Sequence, residues 1–234
     1  MATYETFAAV YDEIMDDSLY DKWTDFSLRN LPQDTKTILE LACGTGIQAV
    51  RFAQKGYEVT GLDLSYEMLE LAQADMIALE GVGDFDAVTC YSDSLCYMAD
   101  QEAVLRVFEG VHSVLNQGGT FLFDVHSIYQ MEEVFAGYSY HENYEDFAFV
   151  WDTYEGEHEH SIVHELTFFV KDEDSQEERF IRRDEVHEER TYPIETYVEL
   201  LKEAGFASVE VFADFEDQAP TETSQRWFFR CKKK

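Results

Sequence analysis

Ile38-Leu-Glu-Leu-Ala-Cys-Gly-Thr-Gly46 leaves this chain few ways to fold locally. A short apolar run that ends in closely spaced glycines is the pattern of a buried parallel strand turning sharply into a helix. The apolar period then changes, with Ile47, Val50, Phe52 and Ala53 at helical spacing until Gly56. Glu58-Val-Thr-Gly-Leu62 reads as a second strand, and Ser65 is placed to cap a helix carrying Met68, Leu69 and Ala72. Phe85-Asp-Ala-Val-Thr-Cys90 is a third strand. It leads to a helix with Val104, Val107, Phe108, Val111, Val114 and Leu115 on one face, ended by Gly118-Gly119. Thr120-Phe-Leu-Phe-Asp124 is again a strand, so residues 37–124 alternate strand and helix as an α/β domain with a doubly wound parallel sheet does.

After about Tyr138 the period becomes 2. Phe147–Trp151, Ile162–Val170 and Glu178–Arg190 read as antiparallel strands, and the acid-rich turns Glu155–Glu159 and Asp172–Glu178 between them as solvated hairpin tips. Pro193 opens a helix through Ile194, Tyr197, Val198, Leu201 and Ala204, closed by Gly205. The chain finishes with two strands, Ser208–Phe215 and Gln225–Cys231, joined by a loop with no helix, which predicts a hairpin at the edge of the parallel sheet.

The glycine turn admits more than one chemistry. Without a Cβ, Gly44 and Gly46 let a ligand approach backbone N–H groups at a helix start. Gly44, Gly46 and Ala49 also satisfy a dinucleotide fingerprint, and a tight structural turn would look the same. Glu40 sets a carboxylate beside the turn, which suits a cationic ligand better than a pyrophosphate. Asp63, 17 residues after Gly46 at the end of the second strand, is placed to accept from both hydroxyls of a ribose.

These segments together resemble the class I S-adenosylmethionine-dependent methyltransferases, in particular small bacterial enzymes of uncertain substrate. The resemblance spans nearly the whole chain and rests on Leu39–Gly46, Gly61-Leu-Asp-Leu-Ser-Tyr-Glu-Met-Leu69, Asp75-Met76, Phe85–Cys90 with Asp93-Ser94-Leu95, and Leu115–Asp124. It implies a Rossmann-like sheet with an antiparallel last strand, plus an inserted antiparallel β segment over 138–190. Residues 31–137 and 191–234 would form the cofactor-binding core, and 1–30 a helical lid. By position, S-adenosylmethionine would meet Gly44 and Gly46 with its methionine moiety and Asp63 with its ribose. Leu64 and Met68 would lie near the adenine, Asp75 and Met76 at its edge, and Cys90 and Tyr91 along the pocket wall. Glu40 would stand beside the cofactor, with Tyr11 and Trp23 reaching it from the lid.

One interval departs from the family pattern. Asp63 and Asp75 are only 12 positions apart, where the family places a helix and a strand, and a crossover alone takes about 10–12 residues. Either the strand at that edge is absent or residues have been lost, and the placement of Asp75 and Met76 depends on it.

Methyl transfer from a sulfonium is an in-line displacement governed by alignment and charge placement, so no catalytic triad is required. His126, Asp93 and Tyr11 are the candidates for a base or an acceptor contact. His158, His160, His164 and His187 read as solvated strand residues, and no metal site is expected from them. Cys43, Cys90, Cys96 and Cys231 have no paired spacing, which fits a reducing compartment, and with no targeting or membrane segment in the sequence the expected location is cytoplasmic.

Charge narrows the partners. The chain carries 49 acidic and 17 basic residues for a formal net charge of -32, yet 45% hydrophobic residues, enough to fold. Between 138 and 190 the count is 17 acids to 5 bases. Such a surface repels nucleic acid and anionic membranes, and the dense basic run, Lys232-Lys-Lys234, reads as a frayed terminal tail. The expected partner is a small-molecule methyl acceptor, an amine or another neutral-to-cationic molecule. The insert would either cover the acceptor pocket or pair two subunits as a homodimer. Two other functions fit the glycine turn: a nucleoside-binding module without catalysis, and an NAD-dependent dehydrogenase, which Glu40 and the terminal hairpin disfavour.

Overall fold

Apolar strands at the centre of the chain and amphipathic helices between them bury each other. The computed structural model describes residues 14–64, 75–79, 81–172 and 179–234. Helix α1 (Asp17–Asn30) starts where Asp16 Oδ1 accepts from the Ser18 N–H at 3.0 Å. It is followed by β1 (Thr37–Leu41), α2 (Ile47–Gln54), β2 (Glu58–Leu62) and β3 (Phe85–Cys90). Helix α3 (Gln101–Val114), capped by Asp100 Oδ1 accepting from the Ala103 N–H at 2.8 Å, leads to β4 (Leu115–His126). After the insert come α4 (Ile194–Glu203), β9 (Ser208–Ala213) and β10 (Arg226–Lys232).

The six strands of the main sheet lie in the order β2-β1-β3-β4-β10-β9. The first four are parallel, and β10 runs antiparallel between β4 and β9. The terminal hairpin expected from sequence therefore closes one edge. At the other edge β2 is outermost, and no strand occurs between β2 and β3 among the described residues. The short interval after Asp63 shows itself in the topology: Asp75 to Leu79 form a turn where the family pattern asks for a strand. The helix expected from Ser65 to Ala72 lies outside the described residues.

Two apolar layers cover the sheet. On one side Val104, Val107, Phe108 and Val111 of α3 pack on Val88, Phe121, Phe123 and Phe229, with Tyr197 and Leu201 of α4. On the other, Trp23 and Phe26 of α1 and Phe52 of α2 pack on Ile38, Ala87, Leu122 and Phe228. Fully burying aromatic and aliphatic side chains of this size stabilises the fold by about 1.5–3 kcal/mol each before entropy is charged against it. Gly61 on β2 is required sterically, because a Cβ there would lie 2.8 Å from Cys43 Sγ.

The insert is a separate four-stranded antiparallel sheet, β5 (Ser139–Asn143), β6 (Phe147–Glu155), β7 (Ser161–Lys171) and β8 (Phe180–Arg190), in sequential order. Its inner face carries Phe147, Phe149, Leu166 and Phe168. Along β7 and β8 that face continues into polar residues, since His164 pairs with His187 and Ile162 with Glu189. His164 and His187 are 4% and 3% exposed, which corrects their expectation as solvated. Period-2 alternation puts both on the face with Leu166, and that face is covered.

The C-terminal lysines are also tied down rather than frayed. Lys232 lies in β10 and its Nζ donates to Thr120 Oγ1 at 2.6 Å. Lys233 Nζ donates to the carbonyls of His112 and Leu115 at 2.6 and 2.8 Å, which satisfies the end of α3 and places a cation at its negative dipole.

Candidate functional site

The glycine turn follows directly from β1. Ala42, Gly44 and Gly46 all have positive φ, at 51°, 53° and 83°, so the chain reverses within five residues and delivers Gly46 to the start of α2. The Gly46 N–H donates to the Cys43 carbonyl at 2.9 Å, and the Cys43 N–H to the Leu62 carbonyl at 3.1 Å, stitching the turn to β2. The Gly44 N–H donates to Asp63 Oδ2 at 2.8 Å, so Asp63 is held against the turn.

Glu40 is the electrostatic oddity here. It is 4% exposed, and its Oε2 has no hydrogen-bond partner among the described residues. Burial, reinforced by the neighbouring Asp63, pushes its carboxyl well above the usual range. Burial with the Glu40 and Asp63 charges likewise pushes the Cys43 thiol up to about 12. An unpartnered buried carboxyl beside a glycine turn is a receptor for a cation or a hydrogen-bond donor. Among the described residues, a Cβ at Gly44 would meet no atom within 4 Å, so none of them fills the space above the turn.

A second polar group lies where β3 and β4 end. Ser92 and Asp93 both have positive φ, 56° and 52°, a backbone strain that non-glycine residues seldom bear. The strain is held by the Asp93 N–H donating to Asp124 Oδ1 at 3.1 Å, and it turns the Asp93 side chain toward β10 and β4. Arg226 bridges the two acids, with Nη1 2.7 Å from Asp124 Oδ2 and Nη2 2.8 Å from Asp93 Oδ1. Trp23 Nε1 also donates to Asp124 Oδ2, at 2.8 Å. Burial works against the charge on Asp93, but His126 and Arg226 overcome it and hold the carboxyl below its ordinary range. For Asp124 burial prevails, aided by Asp93, and its pKa rises despite Arg226 and Trp23.

The insert completes this group. His126 Nε2 lies 3.3 Å from Asp93 Oδ1 and 3.7 Å from Glu189 Oε2, and His164 Nε2 lies 3.3 Å from Glu189 Oε1. Phe135 is wedged between the imidazoles, edge-on to each at 5.0 Å. Thr191 Oγ1 donates to the His126 carbonyl at 2.7 Å, fixing the return of β8 to the main sheet.

The structure thus brings Glu40, Gly44, Gly46 and Asp63 together at one turn and Asp93 and His126 together at a neighbouring strand end. Cys90 is fully buried at the end of β3, and burial pushes its thiol up. Trp23 is 1% exposed and stacks on Tyr91 at 6.1 Å, while the Tyr91 hydroxyl meets Ser27 Oγ at 2.6 Å. Those contacts lock α1 to the sheet. Leu64 is 63% exposed just past β2. Asp75 is exposed, its Oδ1 accepting from the Ile77 N–H at 3.0 Å, and Met76 packs on the main core; neither belongs to a strand. Tyr11 and Met68 lie outside the described residues. His160 is joined to Glu132 at 2.6 Å. Sequence reasoning missed Arg226, Asp124, Glu189 and His164. The usable signal was period-2 register, which puts Glu185, His187 and Glu189 on one face of β8.

Comparison with known proteins gives the family. The methyltransferase-domain family matches residues 38–119. A protein of Geobacillus sp. (strain WCH70) named as a methyltransferase is 42% identical over 249 residues, covering 99% of this chain and 100% of that protein. The methyltransferase-named YqeM of Bacillus subtilis (strain 168) is 42% identical over 244 residues, covering 98% and 97%. Both alignments are longer than this chain, so each relative has residues without a counterpart here. The crystal structure of an S-adenosylmethionine-dependent methyltransferase from Clostridium acetobutylicum ATCC 824 superposes with a TM-score of 0.80 at 26% identity, covering 98% of both chains. Among the described residues no helix is long and apolar enough to cross a membrane. By its strand order, its glycine turn and the near-complete match to these relatives, the chain belongs to the class I S-adenosylmethionine-dependent methyltransferases.

Proposed function

We propose that this methyltransferase binds S-adenosylmethionine over the β1 turn and passes its methyl group to a small molecule held between the ends of β3 and β4 and the inserted sheet. The observation that carries the cofactor assignment is the unpartnered Glu40 Oε2, buried beside an open glycine turn. A cationic cofactor supplies the charge that this carboxyl is missing, and a pyrophosphate does not. Bound there, S-adenosylmethionine supplies a methyl group on a sulfonium, which any aligned nucleophile can displace.

The chain's own residues do the positioning. The Gly44 to Gly46 turn, with no side chain at either glycine, lets the methionine moiety approach the backbone. Asp63, anchored by the Gly44 N–H, presents its carboxylate to the ribose hydroxyls, and exposed Leu64 offers an apolar face to the adenine. Cys90 and the Trp23–Tyr91 stack form the floor behind the pocket. With β2 outermost, Asp75 and Met76 are not placed on a strand that could bring them to the adenine edge. Of the two roles open to the insert, covering the acceptor side has the support of Glu189, which lies 3.7 Å from His126 at the end of β4 with His164 beside it. The acidic insert favours neutral or cationic acceptors over phosphates and nucleic acid.

Calorimetric titration tests this reading. S-adenosylhomocysteine should bind at micromolar concentration and NADH should not. The reverse result refutes the assignment, and binding without turnover on any acceptor would leave a nucleoside-binding module.

A further inference from the structure

Among the described residues no cation acts on Glu40. Period-2 alternation along β1 puts it on the same face of the sheet as Ile38, the face that α1 and α2 cover. The titratable groups that face it are Asp63 after β2, Cys43 in the turn, and Cys90 and Tyr91 at the end of β3. Asp63 adds a like charge. Burial pushes Cys43, Cys90 and Tyr91 up, so all three stay protonated and neutral at physiological pH. The cations of the covering helices are engaged elsewhere: Arg51 pairs with Asp17 and Asp21, Arg29 with Asp217, and Lys22 Nζ lies over the Phe215 ring at 5.7 Å. Arg226 is held by Asp93 and Asp124. Residues 1–13, 65–74, 80 and 173–178, outside the described ones, contain no Lys, Arg or His. Ionising Glu40 by itself therefore leaves an uncompensated charge in the interior, on a carboxyl whose Oε2 is buried without a hydrogen-bond partner among the described residues.

Resting on the cofactor assignment above, we propose that Glu40 keeps its proton in the ligand-free chain and gives it up when an α-ammonium group is seated beside the turn. Cofactor binding then expels a proton, and Glu40 selects for ligands that carry the ammonium. The methionine moiety of S-adenosylmethionine, like that of S-adenosylhomocysteine, brings this charge to the end of β1, and the adenosine part brings none. The O–H bond of Glu40 breaks with its electron pair left on oxygen, and the proton goes to solvent. A buried ion pair replaces a neutral carboxyl. Asp63 does not take this part, because its Oδ2 already accepts from the Gly44 N–H at 2.8 Å. Binding that releases one proton strengthens as pH rises, by up to about tenfold per pH unit, wherever Glu40 is protonated in the free chain and ionised in the complex. A neutral nucleoside leaves the Glu40 proton in place, so its affinity does not follow pH in this way.

The test is calorimetry on the full chain between about pH 5.5 and 7, where a free α-amino group stays protonated. At each pH the titration is run in buffers of different ionisation enthalpy, so that the heat reports the number of protons released. S-adenosylhomocysteine is compared with methylthioadenosine, which has the nucleoside and the thioether but no ammonium. S-adenosylhomocysteine should release close to one proton and bind more tightly as pH rises, and methylthioadenosine should release none. Glu40→Gln should abolish the release and flatten the pH dependence of S-adenosylhomocysteine affinity, which separates Glu40 from any histidine that titrates on binding. If that variant does not fold, the contrast between the two ligands in the parent decides alone. Binding of S-adenosylhomocysteine without proton release, equal release with methylthioadenosine, or release that survives Glu40→Gln would each overturn the proposal and leave the cofactor assignment standing. Failure of S-adenosylhomocysteine to bind at any pH would overturn both.

Discussion

Arg226→Met is expected to expose how much of the fold depends on one buried cation. Arg226 bridges Asp93 and Asp124 at 2.8 and 2.7 Å and lies over the Trp23 ring at 5.7 Å. Methionine keeps an apolar stem of similar reach but leaves two acids in the interior, one of them fully buried. Breaking a buried pair this way costs about 3–5 kcal/mol. Asp124 keeps the Trp23 and Asp93 N–H donors, and Asp93 keeps His126, so the low end applies. About 3 kcal/mol in a chain of this size corresponds to a fall in Tm of about 6–12 °C. The loss should depend on pH. Without the guanidinium both carboxyls titrate higher in the folded state than they do in the parent, so the variant's folded state releases its protons later as pH rises. The deficit is then small near pH 4 and widens toward neutrality. Urea unfolding followed by circular dichroism from pH 4 to 8 measures it, and adding Asp124→Asn should recover about 1 kcal/mol or more at pH 7. A deficit below about 1 kcal/mol at pH 7, or one constant across that range, would refute the claim that Arg226 compensates these acids.

Asp63→Ala removes a carboxylate proposed to hold two ribose hydroxyls and seen to hold the Gly44 N–H at 2.8 Å; charged hydrogen bonds contribute about 1.5–3 kcal/mol, so S-adenosylhomocysteine affinity should fall at least tenfold by calorimetry. Glu40→Gln should stabilise the ligand-free protein. Burial raises the Glu40 pKa in the folded state, so the parent loses stability from about pH 4.5 upward, by at most about 1.4 kcal/mol per pH unit until that carboxyl ionises, and denaturant midpoints of parent and variant should diverge over that interval. The same variant should bind S-adenosylhomocysteine more weakly. Gly44→Ala should cost only about 1–2 kcal/mol of stability, because φ is 53° but the new Cβ meets nothing within 4 Å, whereas cofactor affinity should fall further, since the methyl group enters the cofactor's space. Equal effects on stability and affinity would argue that no ligand approaches that turn.

The α/β core, the turn that presents a ligand site and the antiparallel ending are legible in the sequence. Each of these is a local pattern: Ile38 to Gly46 encodes strand, reversal and helix within a few residues, and a strand–loop–strand ending without a helix can only return as a hairpin. The sequence also registered the short interval after Asp63, because a 12-residue spacing is too short for a helix and a strand whatever the rest of the chain does. The acceptor side was only partly legible. His126 and Asp93 stood out by their place after strand ends, but Arg226 reaches Asp93 from 133 positions away along the chain and Glu189 reaches His126 from 63. No local period encodes such a meeting, and whether His164 and His187 face water or a covering layer depends on what the sheet packs against. The packing of the chain settles that, by bringing the insert against the end of β4, setting Arg226 between Asp93 and Asp124, and leaving Glu189 Oε2, like Glu40 Oε2, buried without a hydrogen-bond partner among the described residues.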